Sequence, residues 1–145
     1  MPAEYCRHVP LAGHVERVLD RLGLTSAVHA VGNSLGGAIA MQLTARAPTR
    51  VSSLTLRQVA RDLGSWRGVR PDWRTKPLAE VSALDVPVLV AWGAHDRILP
   101  ARHLIDAASA LPGARIHLFP RTGHLPQIER TEETAALLSS FRNDL

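Results

Sequence analysis

Val28-His29-Ala30-Val31-Gly32-Asn33-Ser34-Leu35-Gly36-Gly37 is the stretch on which the reading of the fold turns. Ala27–Val31 is a short apolar run of strand length, and Gly32 follows it at once. From Leu35 to Arg46 the chain reads as an alanine-rich helix, with Leu35, Ala38, Ile39 and Leu43 available for packing and Pro48 marking its end. A serine between strand and helix, with glycines two residues before and after, has the pattern of a nucleophile elbow. So tight a turn is expected to exclude side chains at Gly32 and Gly36 and to hold Ser34 in strained backbone, its hydroxyl above the sheet. The helix that follows points its positive end at the same place, where the Leu35 N–H can serve an oxyanion. Alone the motif is weak, because Gly-x-Ser-x-Gly also describes a turn that binds nothing.

Upstream, Leu11, Val15, Val18, Leu19 and Leu22 form one apolar stripe at helical spacing, and Gly23 stops that helix. Downstream, Val51–Leu56 alternates imperfectly as a second strand, and Leu78–Leu84 fits a short helix or turn. Val86-Pro87-Val88-Leu89-Val90-Ala91-Trp92 is apolar throughout, the pattern of a parallel strand buried on both faces. Pro100 is expected to open a helix that faces inward with Leu104, Ile105, Ala108 and Leu111. Ala114–Phe119 is a fourth strand, and Thr131 is expected to cap a last helix reaching Phe141. Alternating strands and helices predict an α/β fold with about four parallel strands, in sequence order, and helices on both faces. The strand near Val28 is expected at an open edge.

Two further residues share the end of the sheet where ligands gather in α/β folds. Asp96 follows the strongest strand in Gly93-Ala94-His95-Asp96, and His124 follows the last strand in Thr122-Gly123-His124-Leu125-Pro126. Of seven histidines, His124 is the one in a turn directly after a strand end with a glycine before it. His29 and His117 fall inside strands, His14 and His103 in helices, and His8 in an unpatterned start, where packing or solvation explains them. The chain order Ser, Asp, His is that of the α/β-hydrolases. From about Leu11 to Phe141 the chain resembles the C-terminal half of α/β-hydrolases of the lipase, esterase and C–C hydrolase kind. The matching text is Val31–Gly37, Pro87–Gly93 leading to Asp96 and Pro100, and Gly123–Pro126 with Glu129-Arg130.

The resemblance implies Ser34 as nucleophile, His124 as general base and Asp96 as its orienting acid, with Leu35, Gly32 and Gly36 shaping the elbow. It implies no metal and no organic cofactor. A serine at position 34 argues against the dehalogenase branch, which has aspartate there. The sequence departs from the family in two ways. The family's sheet has strands before the nucleophile strand, carrying a second oxyanion donor that nothing in Met1–Leu24 resembles. The family also places a sizeable helical cap where this chain has only a connector over 57–77.

The whole chain, 1–145, is expected to be a single truncated hydrolase domain. Three functions remain open: ester hydrolysis through an acyl-enzyme, C–C bond hydrolysis, and a non-catalytic remnant that serves as a folding or pairing module. A small-molecule ester or similar acyl compound is the expected substrate. The net charge of +4 is carried by the connector, with Arg57, Arg61, Arg67, Arg70, Arg74 and Lys76 against Asp62 and Asp72. One solvated basic segment argues against nucleic-acid binding. No apolar run reaches the roughly 18 residues of a membrane span. The start has no signal-peptide pattern, and the single cysteine, Cys6, has no internal partner, so a cytoplasmic location is expected. The open edge of the Val28 strand is expected to drive self-association.

Overall fold

The computed structural model of the chain describes residues 8–59 and 77–145. In order, these form α1 (His8–Arg21), β1 (Val28–Asn33), α2 (Leu35–Arg46), β2 (Val51–Arg57), α3 (Pro77–Ser82) and β3 (Val88–Gly93). There follow α4 (Arg102–Ala110), β4 (Arg115–Phe119), α5 (Pro126–Glu129) and α6 (Thr131–Asn143). The four strands make one sheet in the order β1-β2-β3-β4, every neighbouring pair parallel. The predicted topology, with β1 at an edge, is the observed one.

Alternation along the strands separates two cores. Ala30, Leu54, Leu56, Val88, Val90 and Trp92 face α1–α4 in the larger one, against Ala12, Met41, Leu43, Val81, Leu104 and Ala107. Leu89, Ala91 and Phe119 face the other way and pack on Leu137 and Phe141 of α6. All six β3 residues are buried, as a strand covered on both faces requires. Among the described residues, no helix is long and apolar enough to cross a membrane.

Local chemistry explains the helix ends. Gly23 has φ +67°, and two bonds, Gly23 N–H to the Asp20 carbonyl and Leu24 N–H to the Leu19 carbonyl (both 3.0 Å), close α1 in a Schellman turn. A side chain at Gly23 would meet nothing, so the backbone conformation alone selects glycine there.

Several expectations change. In α1 the apolar stripe is only partly used: Ala12 is buried and Val15 packs beside it, while Val18 and the residue beyond the helix end, Leu22, stay exposed. The helix already includes His8. In α2 Leu35 is exposed, and the small residues Gly37, Ala38 and Ala40 are buried with Met41 and Leu43. Close approach to the sheet, rather than a bulky stripe, sets that face. Ile105 points to solvent, because the buried line of α4 runs through Leu104 and Ala107 to Leu111. Thr131 does not cap α6: it is the first helical residue, and its hydroxyl donates back to the Gln127 carbonyl at 3.0 Å. The four-residue α5 was not legible as a helix. The connector is shorter than the predicted 57–77, since Arg57 ends β2 and Gln58 and Val59 are buried. Residues 60–76, with their five basic residues, lie outside the described residues, as does Cys6.

Candidate functional site

All three strand ends that carry the singled-out residues lie at one edge of the parallel sheet, and the loops there are stitched together. Ser34 follows β1 directly, with φ 53° and ψ −121°, a combination that costs a non-glycine residue roughly 1–3 kcal/mol. Its N–H donates to the Arg57 carbonyl at 2.9 Å, and its own carbonyl accepts from the Gly37 N–H at 3.0 Å. Its hydroxyl makes no capping bond to α2. The strain expected of an elbow is therefore present.

The glycine reading is half right. A Cβ at Gly32 would run into the backbone of Gly36 and Gly37, so glycine is obligatory there. A Cβ at Gly36 would meet nothing, and the second crowded glycine is Gly37, where it would strike Val59. Gly36 is close by as backbone, not as a position that forbids a side chain.

Asp96 and His124 meet. Asp96 Oδ2 lies 2.7 Å from His124 Nδ1, and Asp96 Oδ1 accepts from the Ile98 and Leu99 N–H groups at 2.8 and 2.9 Å. The carboxylate has no solvent exposure, so these three donors compensate its burial. A carboxylate oxygen can only accept, so Nδ1 is the donor in this contact, and Nε2 is the ring nitrogen turned away from Asp96. Among the described residues His124 makes no other side-chain hydrogen bond, and Ser34 Oγ makes none.

The surroundings fix the pair. Glu129 of α5 accepts from Gly123 N–H (2.8 Å) and Leu125 N–H (3.2 Å), holding the chain on both sides of His124. The Ala94 and His95 N–H groups donate to the Phe119 and Thr122 carbonyls at 2.9 and 2.8 Å, tying the Asp96 loop to the His124 loop. A Cβ at Gly93 would collide with the Gly123 and Thr122 carbonyls, so this contact demands glycine. Trp92, fully buried, donates from Nε1 to the Leu99 carbonyl at 2.8 Å and anchors the far side of the Asp96 loop. His95 itself is exposed.

Sequence reasoning missed Gln58. It is completely buried, has φ 44°, and stands one residue beyond β2. With its carboxamide oriented to satisfy its neighbours, Nε2 donates to Asn33 Oδ1 (2.7 Å) and the His124 carbonyl (3.1 Å), and Oε1 accepts from Gly93 N–H (3.1 Å). The available signal was a lone polar residue directly after a strand end, at the edge where Ser34, Asp96 and His124 gather. Arg57 beside it is also buried, and desolvation lowers the pKa of its guanidinium from the ordinary value. Leu35, Ile98, Leu125 and Ile128, in the three segments that follow β1, β3 and β4, are exposed and form an apolar rim at this end of the sheet.

The family model described as alpha/beta hydrolase fold matches residues 6–81 and 57–131. The chain belongs to the α/β-hydrolase family. The dihydrolipoyllysine-residue acetyltransferase component of the acetoin cleaving system of Cupriavidus necator is 28% identical over 188 positions, covering 88% of this chain and 49% of that protein. The 2-hydroxymuconate semialdehyde hydrolase of Pseudomonas putida is 26% identical, over 88% of this chain and 66% of its own. A thermophilic esterase from Thermogutta terrifontis has the same fold, with TM-score 0.78 and 17% identity over 95% of this chain and 72% of that one. This α/β-hydrolase chain thus spans about half of the first of these relatives and two thirds of the second. The 188 aligned positions exceed its 145 residues, so the Cupriavidus protein has residues in that stretch that this chain lacks.

Proposed function

We propose that this α/β-hydrolase is a serine hydrolase that cleaves small apolar carboxylic esters through an acyl-enzyme on Ser34. The observation that carries the proposal is the 2.7 Å contact between His124 Nδ1 and the buried Asp96 carboxylate. It sets the tautomer whose Nε2 can accept a proton, and a buried Asp with its second oxygen held by two amides orients a base well. In the first step Nε2 of His124 takes the Ser34 hydroxyl proton as Oγ bonds to the ester carbonyl carbon. The alkoxide leaves with that proton, giving an acyl-serine and an alcohol. Water then attacks with the same base, releasing the acid and restoring Ser34. The Leu35 N–H, free in the first turn of α2, stabilises the oxyanion, and the strained Ser34 backbone holds Oγ clear of α2. The exposed Leu35, Ile98, Leu125 and Ile128 suit an apolar acyl or alkoxy group.

A fluorophosphonate probe and a short-chain p-nitrophenyl ester test this together. The wild-type chain is expected to be labelled at Ser34 and to turn over the ester, and Ser34→Ala to do neither. His124→Ala is expected to lower turnover about 10³-fold or more. An unlabelled, folded wild-type chain overturns the reading in favour of a non-catalytic module. The similarity to the Pseudomonas putida 2-hydroxymuconate semialdehyde hydrolase favours a second reading, in which the same residues cleave a C–C bond next to a carbonyl. Turnover of a vinylogous diketone with none of the ester would select it.

A further inference from the structure

The loops bearing the proposed nucleophile, acid and base come from three different strands, and one side chain touches the supports of all three. We infer that Gln58 is a positioning residue whose buried carboxamide sets the place of His124 relative to Ser34, an inference that rests on the serine-hydrolase reading. Its Nε2 donates to the carbonyl of His124 itself and to Oδ1 of Asn33, the residue before Ser34, while its Oε1 accepts from Gly93 N–H at the root of the Asp96 loop.

Three facts make this more than packing. A fully buried carboxamide must be satisfied to be tolerated, and each of its three bonds ends on a different strand end. The φ of 44° is an uncommon conformation for glutamine, kept only where surrounding contacts over-determine it. The neighbouring contact between Gly93 and the Thr122–Gly123 backbone leaves no slack, so a change at Gln58 passes directly into the His124 loop. Glu129 holds the amides on either side of His124 from the solvent side, and Gln58 holds its carbonyl from within. Together they clamp three consecutive residues. Without the inner half, the imidazole keeps Asp96 but loses its fixed distance to Ser34. A misplacement of about 1 Å at a reacting group can cost about 10²-fold in rate.

The test compares wild type, Gln58→Met and Gln58→Glu. Methionine keeps the size and removes every hydrogen bond. Glutamic acid keeps an acceptor for Gly93 N–H at any pH, but donates to the His124 carbonyl only while protonated. Second-order fluorophosphonate labelling is expected to fall about 10–100-fold in Gln58→Met with the far-ultraviolet circular dichroism unchanged. In Gln58→Glu, labelling relative to wild type is expected to decline as pH rises, a change of profile that a purely structural role would not produce. Wild-type rates in both folded variants, or a uniform loss in Gln58→Glu with no change of profile, overturn the inference.

Nuclear magnetic resonance of the His124 ring and the Gly93 amide separates this from failure of the hydrolase reading. Gln58→Met is expected to broaden the His124 ring signals and to remove exchange protection at Gly93, leaving His29 and His117 unchanged, even if wild type is never labelled. Unchanged His124 and Gly93 signals overturn the inference on their own. If Gln58→Met does not fold, Gln58→Glu at low pH against high pH provides the same two readouts.

Discussion

Strand β3, which leads to Asp96, is closed on both faces, and strand β1, which leads to Ser34, is open on one. All six residues of β3 are buried, with Trp92 and Leu89 on opposite faces, the first among α1–α4 and the second against α6. Strand β1 is buried only on the face of Ala30 and Gly32, toward α2. On the other, His29, Val31, Ser53 and Thr55 line a groove of about 190 Å³ against Leu138, Ser139, Phe141 and Arg142. Asp96, which holds His124 through its hydrogen bond, thus follows the strand that is buried on both faces. The serine relies instead on local devices: a glycine turn, a strained φ and its tie to the Arg57 carbonyl.

If β3 is the stiff support, its largest residue should give the largest effect. Trp92→Ala removes the largest fully buried side chain and the bond from Nε1 to the Leu99 carbonyl. It is expected to destabilise the chain by about 3–5 kcal/mol in urea unfolding. In any fraction that still folds, the loop bearing Asp96 loses an anchor, so ester turnover should fall further than the folded fraction does. A cost below about 1 kcal/mol would show that β3 is not the main source of stability.

Next in size is Gly93→Ala. The new methyl meets the Gly123 and Thr122 carbonyls, which are backbone and cannot swing away. A cost of about 1–3 kcal/mol is expected, with kcat lowered more than KM is raised, since the two loops of the acid–base pair must part. The same substitution at Gly36, in the first turn of α2 where a Cβ has open space, should cost little. The pair of variants separates a glycine needed for contact from one that only matches the motif.

That distinction marks how far the sequence could be read. The strand order, the parallel sheet and the meeting of Asp96 with His124 were legible, because buried parallel strands are apolar throughout and functional groups follow their C-terminal ends. Spacing does not reveal which glycine a neighbour crowds, so Gly37 went unseen and Gly36 was given its role. Gln58 was missed because nothing in its immediate sequence marks a side chain that bonds only to distant backbone. Ile105 and Val18 read as inward because helical periodicity gives a stripe but not its angle to the sheet. Tertiary contacts decide that angle.

Beside the groove, where β2 meets β1, Ser53→Ala should act weakly. It removes the 2.7 Å bond between Ser53 Oγ and His29 Nδ1, which bridges β2 and β1 at the groove. His29 is exposed and exchanges that bond for water, so the expected loss is about 0.5–1.5 kcal/mol, well below that of Trp92→Ala in β3. A larger loss would mean that the dyad, and not α2, holds β1 in the sheet.

The smallest effect on stability, and the most direct test of openness, belongs to Val31→Lys. Val31 is 46% exposed, sits on the edge strand and faces the groove rather than the large core. Its side chain gains little on folding, and lysine there should change stability by no more than about 0.5 kcal/mol. Association is another matter. Strand β1 pairs with β2 on one side and, among the described residues, with no strand on the other, so its outer N–H and C=O groups form a template for a second copy. Wild type is expected to associate through this edge as its concentration rises. A lysine on an edge strand opposes such pairing, because each new contact would bury its ammonium or bring two of them together. Sedimentation velocity over a hundredfold concentration range should show wild type shifting to larger species and Val31→Lys remaining monomeric. If both stay monomeric, the edge is covered in solution and β1 is less open than the sheet order implies. If both associate alike, the contact lies elsewhere, and the apolar rim of Leu35, Ile98, Leu125 and Ile128 becomes the next place to introduce charge.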